Sequence, residues 1–474
     1  METKLKQNNS GTAVLTVCMM TSLITTFMGS ALNLSIPHIS AEFNMGATSV
    51  GWIVTSYILT VTAMSVPFGR LADLTGKVRI LILGEFLFTV FALMTVFAWD
   101  GTSMLIFRIG QGVGAAAIFA TNTALLTESF PPQKRGQVIG LSVTAVYLGL
   151  SLGPVAGGVM EQYFGWKSIF YLSAAWTAVT LIIAILKVRA DESTAKLSEG
   201  VVNLNESEKF SLFKHMDIRG CLLYMMSIVL IVYGFSSLSS RKSAVAVLVA
   251  GIALIALFIF NEKRVAFPLI SIDLIKENKV FAYSNLAALL NYAASFAITY
   301  VLSIYLQNLK GMTSAKAGII LIVSPILQTL LSPFAGRMSD RIKPGILASV
   351  GMGVTAAGIF LMIFISENSG LGFIIATLAT IGTGFAFFSS PNTNAIMSSV
   401  EKKDLSIASS MLATGRSLGQ SVSMGIVTVI VAAILGNTAL KEVSHTDMIF
   451  AMKVIFIVMT VLCAVGVWFS SRRN

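Results

Sequence analysis

Residues 140–158 read GLSVTAVYLGLSLGPVAGG and lie within a longer apolar run. That run is long enough to cross a bilayer as a helix, since about 20 residues span the hydrocarbon core. Gly149, Gly153 and Gly157 recur every four residues and form one bare stripe along such a helix. Pro154 removes a backbone hydrogen bond and so introduces a kink. The stretch predicts a membrane helix that a neighbour can approach closely, either as static packing or as a moving contact.

The whole chain shares this membrane character. Of its 474 residues, 55% are hydrophobic and only 12% are charged, and the mean hydropathy is +0.81. A soluble domain carries about 25% charged residues. The three cysteines lie in apolar runs without the spacing of a disulfide or metal site. The composition predicts a polytopic membrane protein, and cytoplasmic loops explain the net charge of +11 better than nucleic-acid binding does.

Fourteen apolar segments have the length of membrane spans, which predicts an all-α fold. An even number places both termini on one side, and the loops of that side carry most of the lysines and arginines, among them Lys77, Lys134 and Arg473. The positive-inside rule therefore predicts a cell-membrane protein with cytoplasmic termini, although this topology leaves Arg241 and Lys242 outside. The predicted spans are 12–36, 50–69, 80–99, 103–126, 137–160, 166–187, 218–237, 243–261, 281–306, 315–335, 346–366, 371–392, 406–435 and 447–470.

An internal repeat predicts the architecture. GRLAD at 69–73 recurs as GRMSD at 336–340, which is 267 residues later (336 minus 69). Two adjoining six-span bundles would separate the copies by about 200 residues, so the excess matches two further spans. We therefore expect a six-helix bundle over 1–187, linkers and an inserted pair of spans over 188–280, and a second six-helix bundle over 281–474. Repeated halves of this kind are typical of transporters.

These features resemble the major facilitator superfamily, in particular its fourteen-span drug:proton antiporter branch. The resemblance rests on GRLADLTGK at 69–77, RIGQG at 108–112 and the fifth-span stretch at 149–158. It implies the major facilitator fold and a proton-coupled antiporter that exports amphipathic organic compounds. The expected partners are a small-molecule substrate, protons and lipids, with no cofactor, no metal and a monomeric state. The chain also lacks a phosphate-binding loop and a nucleophile–base arrangement, which argues against an enzyme.

The repeated loop supplies the predicted gate. Arg70 and Asp73 can pair with charges or helix ends of neighbouring spans, and Glu128 is a plausible partner for Arg70. Arg337 and Asp340 repeat the pattern in the second half. The alternative is that these charges only anchor the topology. The predicted gating set also includes Gly149, Gly153, Pro154 and Gly157.

Two arginines lie well inside predicted spans, away from the span ends. Arg108 in span 4 and Arg416 in span 13 would each cost at least about 2.5–3.5 kcal/mol if they faced lipid, so both should face the interior. The resemblance ties Arg108 to proton coupling, and the alternative is a structural hub that binds backbone carbonyls. Glu85 in span 3 is a second proton-coupling candidate, although an interfacial carboxylate that reaches water is the slightly favoured alternative.

The chain departs from the resembling branch in span 1. That branch carries an aspartate nine residues before Pro37, where this chain has Met28. An interior with arginines and amides instead of that carboxylate suits a neutral or anionic amphipath better than a cation. Proton-coupled uptake of an organic anion such as a bile acid therefore remains a second function, and the amides can alternatively act as glue between helices. The predicted substrate-binding residues are Asn33, Gln111, Asn122, Asn291, Asn392 and Arg416.

Overall fold

The structure is a computed structural model that describes residues 2–45, 47–189, 216–237, 243–435 and 444–473. The residues so described form helices joined by turns, with no strand among them. Fourteen helices within these ranges are long and apolar enough to cross a membrane, which confirms the predicted span number. Most of the predicted linker before span 7 lies outside the described residues, as do Arg241 and Lys242.

Six helices form the first half. Gly76 makes a one-residue turn between the second and third of them with φ 107°, a backbone conformation that favours glycine. Asp100 begins the fourth, where its carboxylate accepts a bond from Ser103 N at 2.8 Å, and the bonds from Ser103 lower the pKa of Asp100. The helices are α1 (Glu2–Glu42), α2 (Ala47–Thr75), α3 (Lys77–Val96), α4 (Gly101–Ser129), α5 (Pro132–Phe164) and α6 (Lys167–Ile183), which a π-helix extends to Arg189.

The remaining spans form a hairpin and the second half. The hairpin consists of α7 (Ile218–Ser236) and α8 (Ala244–Glu262), and a short linker helix (Ile272–Glu277) follows it. The second half consists of α9 (Lys279–Ser295 and Ile298–Ile304, then the π-turn Tyr305–Leu309), α10 (Ser314–Leu321 and Val323–Ser339), α11 (Pro344–Met362), α12 (Leu371–Ser398), α13 (Leu405–Leu435) and α14 (His445–Arg472).

Helix α9 is interrupted at Phe296 and Ala297. The N–H of Ala297 donates to Ser423 Oγ of α13 at 3.0 Å. Because no water is available in the hydrocarbon region, a backbone group exposed by a break must find a protein partner. The serine of α13 provides that partner, so the break is built into the packing of the second half.

The two halves meet along two seams. One is the α2–α13 seam, which α4 also contacts, and the other is the α5–α10 seam, which α12 also contacts. Within the first half α1 packs closely on α5, and α4 packs on both α2 and α3. We refer to the end of the bundle that carries both chain termini, together with the α2–α3 and α10–α11 turns, as the termini face.

The hairpin lies across one seam only. Its helix α7 contacts both α2 and α13, whereas α8 packs mainly on α7. Tyr224 Oη of α7 donates to Thr414 Oγ1 of α13 at 3.0 Å, and Thr414 Oγ1 donates to Thr62 O of α2 at 3.4 Å. One chain of hydrogen bonds therefore joins the hairpin to both halves. The α5–α10 seam has no such cover among the described helices.

Candidate functional site

Asp73 closes the α2–α13 seam at the termini face. Its carboxylate accepts bonds from Ser406 N and Ile407 N, both at 3.1 Å, in the first turn of α13. These N–H groups lack partners within their own helix and lie at the positive end of its dipole. Gly69 allows the approach, because a Cβ there would lie 2.8 Å from Ser406 O. The aspartate of the first half thus caps a helix of the second.

Asp340 makes the reciprocal contact at the α5–α10 seam. Its carboxylate accepts bonds from Gly136 N at 2.6 Å and Gln137 N at 2.9 Å, near the start of α5. Partial burial raises the pKa of Asp340, and the two backbone bonds oppose that rise. A Cβ at Gly140 would lie 2.7 Å from Ser332 O, so this seam is also closely packed. The repeated sequence motif therefore forms two latches, one from each half.

A lysine joins Glu128 to the α2–α3 turn. Lys77 Nζ lies 3.2 Å from Glu128 Oε2 and 3.3 Å from Asp73 Oδ1, so Glu128 pairs with Lys77. The reason is the short turn at Gly76, which starts α3 at once and brings Lys77 between the two carboxylates. Arg70 is half-buried at the end of α2. Arg337, its counterpart in the repeat, is exposed.

Other bonds between the halves lie toward the same face. Ser409 Oγ of α13 donates to Phe119 O of α4 at 2.8 Å. Thr144 Oγ1 of α5 donates to Thr329 O of α10 at 3.3 Å. Together with the two latches, these bonds hold the termini face closed.

The glycine stripe of α5 packs on α1. A Cβ at Gly157 would lie 2.6 Å from Ala31 Cβ, and one at Gly149 would lie 3.0 Å from Phe27 N. Gly153 continues this contact on the same side of the helix. The stripe is therefore an interface within the first half, and different glycines of α5 face the second half. The side chains of Pro154 and Asn33, both predicted site residues, lie outside those that the structure describes.

Arg108 is fully buried at the centre of a polar cluster in the first half. Its Nε donates to Ile53 O at 3.2 Å, and Nη1 donates to Gln111 Oε1 at 2.5 Å. The guanidinium carbon lies 4.4 Å from the ring centre of Tyr57. The bonds and the ring hold the guanidinium as a structural hub would, but Nη2 has no hydrogen-bond partner. No described carboxylate lies within the 4.0 Å of an ion pair.

Glu85 is buried at 0% exposure, so the interfacial alternative is wrong. Thr21 Oγ1 of α1 donates to Glu85 Oε1 at 3.0 Å. On the other side of α3, Gly114 packs against Gly84 and Phe88. This register puts Arg108 about seven residues, or roughly 11 Å, from Glu85 along the helix axis. The two predicted proton-coupling residues are thus both interior but are not in contact.

Arg416 lies among aromatic rings where the halves face each other. Its Nη2 donates to Thr393 Oγ1 at 2.9 Å, its Nε has no hydrogen-bond partner, and its guanidinium carbon lies 5.7 Å from the ring centre of Tyr292. Phe385 packs edge-on against Tyr292 at 5.1 Å and against Tyr147 at 6.0 Å. We call Tyr147, Tyr292, Phe385 and Arg416 the aromatic–arginine cluster. Its members come from α5, α9, α12 and α13, so both halves contribute.

Two of the predicted amides bind partners inside the first half. Asn122 Nδ2 donates to Cys18 O at 3.1 Å and to Ser22 Oγ at 2.9 Å, inside the first half. Gln111 holds Arg108, as described. Asn291 is buried at 0% exposure, and its amide atoms have no hydrogen-bond partner. Asn122 therefore joins α4 to α1, which is the alternative role to substrate binding, whereas Gln111 binds a residue of its own helix.

Asn392 belongs to a separate network at the termini face. Its Oδ1 accepts a bond from Arg473 Nη1 at 2.5 Å, and its Nδ2 donates to Ser284 O at 3.1 Å. Arg473 Nη2 also donates to Gly345 O at 2.9 Å and to Ser470 Oγ at 2.8 Å. Burial lowers the pKa of Arg473 to about 10. The positive-inside rule predicts a loop position for Arg473, but the residue is 3% exposed and ties three helices of the second half together.

A groove of about 400 Å³ lies on the outside of the first half, between α2, α4 and α7. Its lining is apolar and includes Trp52, Leu59, Ile109 and Met225. The ring of Trp52 stacks on Tyr233 of α7 at 5.5 Å. The groove shares no residue with the aromatic–arginine cluster.

The sequence matches the family model of the Major Facilitator Superfamily over residues 18–270 and 285–473. The riboflavin transporter RibZ of Clostridioides difficile is 29% identical over 400 residues, which cover 83% of this chain and 82% of that protein. The cephamycin export protein CmcT of Amycolatopsis lactamdurans is 24% identical over 451 residues, 93% of this chain and 89% of that protein. The multidrug resistance protein Stp of Mycobacterium tuberculosis is 25% identical over 413 residues, 86% and 73% of the two chains.

The structure is also similar to that of the human organic anion transporter MFSD10. The TM-score is 0.63 at 12% identity, with 96% of this chain and 99% of that chain covered. That likeness shows a shared fold, as the fourteen spans and the paired halves do. With the family model matched across both halves, the chain belongs to the major facilitator superfamily of membrane transporters, and it is not an enzyme.

Proposed function

We propose that the protein is a proton-coupled antiporter that exports amphipathic organic compounds across the plasma membrane. The observation that carries the proposal is Arg108, a fully buried guanidinium with no acidic partner among the described residues. A buried charge of this kind is costly and marks a functional site in membrane proteins. The names of the relatives Stp and CmcT, a multidrug resistance protein and a cephamycin export protein, support the outward direction.

We further propose that the termini face is the cytoplasmic face. Its loops carry most of the positive charge, as the positive-inside rule requires. The latches of Asp73 and Asp340 then close the cytoplasmic side, and opening must break both. The division into bundles over 1–187 and 281–474, with the insertion over 188–280 between them, is part of the same proposal.

Glu85 is the proposed proton carrier. It is a buried carboxylate with a hydroxyl donor, Thr21, and it lies on the same half as Arg108. Because Arg108 is roughly 11 Å away along the axis, the two groups communicate through the packing of α3 and α4 or through water. We therefore assign Glu85 to carrying the proton and Arg108 to sensing the conformational change.

A second function rests on the aromatic–arginine cluster. A guanidinium framed by Tyr147, Tyr292 and Phe385 fits an anion that carries a flat apolar body. Met28, which stands where the drug-exporting branch carries an aspartate, is buried and accepts a bond from Ser173 Oγ at 3.2 Å. The name of the relative RibZ, a riboflavin transporter, also fits an aromatic cargo. The alternative function is therefore proton-coupled uptake of an amphipathic organic anion such as a bile acid.

Transport in reconstituted liposomes separates the two functions. A pH gradient is imposed in either direction, and the movement of a labelled cationic dye and of a labelled bile acid is followed. Extrusion of dye against its gradient, without anion movement, supports export and rules out the second function. Accumulation of the bile acid driven by external acid rules out export.

A matched pair of variants tests the cluster itself. Arg416→Gln should weaken transport of an anion by at least about tenfold, since a buried ionic hydrogen bond contributes about 1.5–3 kcal/mol. Arg472→Gln is the control, because Arg472 only covers the exposed ring of Trp468 at 5.5 Å. Equal loss in both variants would remove Arg416 from substrate binding.

A further inference from the structure

The groove on the outside of the first half has the length of one membrane leaflet. Along α2 its lining runs from Trp52 to Met64, and α4 and α7 form its side walls. These positions lie twelve residues apart (64 minus 52), or about 18 Å along a helix. One leaflet contributes about 15 Å of hydrocarbon and about 5–7 Å of headgroup region. Because tryptophan rings favour the headgroup level, Trp52 places the groove between that level and the middle of the membrane.

The groove opens away from the contact between the halves. On α2, Thr62 and Asp73 reach α13 through the backbone oxygen of Thr62 and the carboxylate of Asp73. The lining residues Ser56, Thr60 and Ala63 lie on another side of the same helix, because successive residues are about 100° apart. The groove therefore faces the surroundings of the bundle, which at this depth of a membrane transporter are lipid.

One hydroxyl in the groove has no partner. A serine or threonine within a helix can donate to the carbonyl four residues earlier, and Thr60 Oγ1 donates in this way to Ser56 O at 2.7 Å. Ser56 makes no such bond, since its Oγ is buried without a hydrogen-bond partner. The residue is 6% exposed and lines the groove. A buried hydroxyl without a bond is rare, so Ser56 marks the point where a bound molecule supplies an acceptor oxygen.

The depth of Ser56 identifies the kind of acceptor. Ser56 lies four residues beyond Trp52, or about 6 Å deeper in the membrane. This depth matches the thickness of the headgroup region, about 5–7 Å, so the hydroxyl lies where that region meets the hydrocarbon. The ester carbonyls of a phospholipid lie at the same boundary, and its acyl chains continue inward from them. A volume of about 400 Å³ spread over this length is an elongated space, which suits one extended chain.

We propose that the groove binds one acyl chain of a phospholipid from the leaflet opposite the termini face, and that the Ser56 hydroxyl donates to the ester carbonyl of that lipid. The chain packs along α2 between α4 and α7, and so it joins the hairpin to the first half. Trp52, stacked on Tyr233 of α7, borders the groove at the headgroup level. The inference requires a membrane transporter of this fold but no particular cargo or coupling ion. Failure of the proposed antiport would therefore leave it intact.

Photolabelling in vesicles tests the position of the chain. The full-length protein is reconstituted with a small fraction of a phosphatidylcholine that carries a diazirine on one acyl chain, and mass spectrometry identifies the labelled peptides. Label should concentrate on residues 52–64 and 225–229. Ile109→Trp, which fills the groove from α4, should lower this labelling to the level of other span peptides. Ile106→Trp is the matched control, because Ile106 is exposed on the same helix outside the groove. Equal labelling in the two variants overturns the proposal.

A change of the surrounding lipid tests the hydrogen bond. Ether-linked phosphatidylcholine lacks the ester carbonyl, so in vesicles of that lipid an ester-linked photolabel should react about fivefold more than in ester-linked vesicles, as expected for one neutral hydrogen bond. In Ser56→Ala the two kinds of vesicle should give equal labelling. Ser65→Ala is the control, because Ser65 Oγ already donates to Val61 O at 2.6 Å, and it should keep the difference.

Two results would contradict the lipid assignment. Equal labelling of the wild type in both kinds of vesicle, or a difference that persists in Ser56→Ala, would exclude the bond from Ser56. Loss of the label on addition of an amphipathic dye, with no response to the surrounding lipid, would show that the groove is a cargo site and overturn the proposal.

Discussion

Removing the Asp340 carboxylate should release the α5–α10 latch. Asp340→Ala removes the acceptor of the two bonds that Gly136 N and Gln137 N of α5 donate across the seam. Losing a helix-capping side chain costs about 0.5–2 kcal/mol, so we expect a cost of about 2 kcal/mol for two lost bonds. This shifts the ratio of closed to open termini face by about 30-fold. Asp340→Asn keeps one acceptor oxygen, so it should retain one bond and shift the ratio only about fivefold.

A cysteine inside the closed face measures the shift. Ser409 is 3% exposed and bonds to Phe119 O across the seam, so Ser409→Cys reacts with a water-soluble maleimide only when the face opens. The three native cysteines are buried and serve as a slow background. The rate at which the maleimide reacts with Ser409→Cys should rise about 30-fold when Asp340→Ala is added. Asp73→Ala should act through the other seam, and the double variant should multiply the two effects.

The control is Asp447→Ala. Asp447 also lies in the first turn of a helix, α14, but on the opposite face, where it bonds only to Ser444. Asp447→Ala should leave the maleimide reaction rate within about twofold of the rate in Ser409→Cys alone, because a surface substitution usually has a small effect. The latch argument would be refuted if the maleimide reaction rates in Asp73→Ala, in Asp340→Ala and in the double variant all matched the rate in this control.

Three further predictions concern the first half. Arg108→Ala should abolish substrate-driven proton flux, measured with a pH-sensitive dye inside liposomes, while expression stays normal; normal flux would remove Arg108 from the mechanism. Glu85→Gln should let substrate move down its own gradient without proton flux, and retained coupling would exclude Glu85 as the carrier. Gly157→Ala should lower the thermal unfolding midpoint, because a Cβ 2.6 Å from Ala31 Cβ overpacks the α1–α5 contact by about 1–3 kcal/mol. Gly29→Ala, which meets nothing within 4 Å, is its control and should not destabilise.

The fold was predictable because the bilayer imposes it. A spanning helix needs a long apolar run, so the span number follows from the sequence alone, and the repeat of GRLAD identifies the two halves. The same repeat marks Asp73 and Asp340 as residues that can bind the ends of neighbouring helices. Their partners were not predictable, because the donors are backbone N–H groups of α13 and α5, which no residue pattern marks.

The interior sites were harder to predict, since spacing along a helix does not show which face meets which neighbour. The sequence leaves Glu85 as either a proton-coupling residue or an interfacial carboxylate, and only the structure shows that α1 covers it through Thr21. Tyr147 and Phe385 were missed because aromatic rings are as common on lipid-facing surfaces as in a binding site. Only their packing with Tyr292, the ring that faces Arg416, distinguishes them in the folded protein.

The hairpin covers one of the two seams between the halves. Its chain of hydrogen bonds from Tyr224 through Thr414 to Thr62 joins both halves beside the α2–α13 seam. The α5–α10 seam has no such cover among the described helices, and the apolar side chains of Leu330 and Phe334 beside it are 66% and 56% exposed. When the α5–α10 seam opens, lipid acyl chains must fill the space that the partner helix leaves. The free energy of opening therefore depends on the lipid. Bilayers with stiffer or longer acyl chains should slow the transport cycle by slowing the opening of the α5–α10 seam.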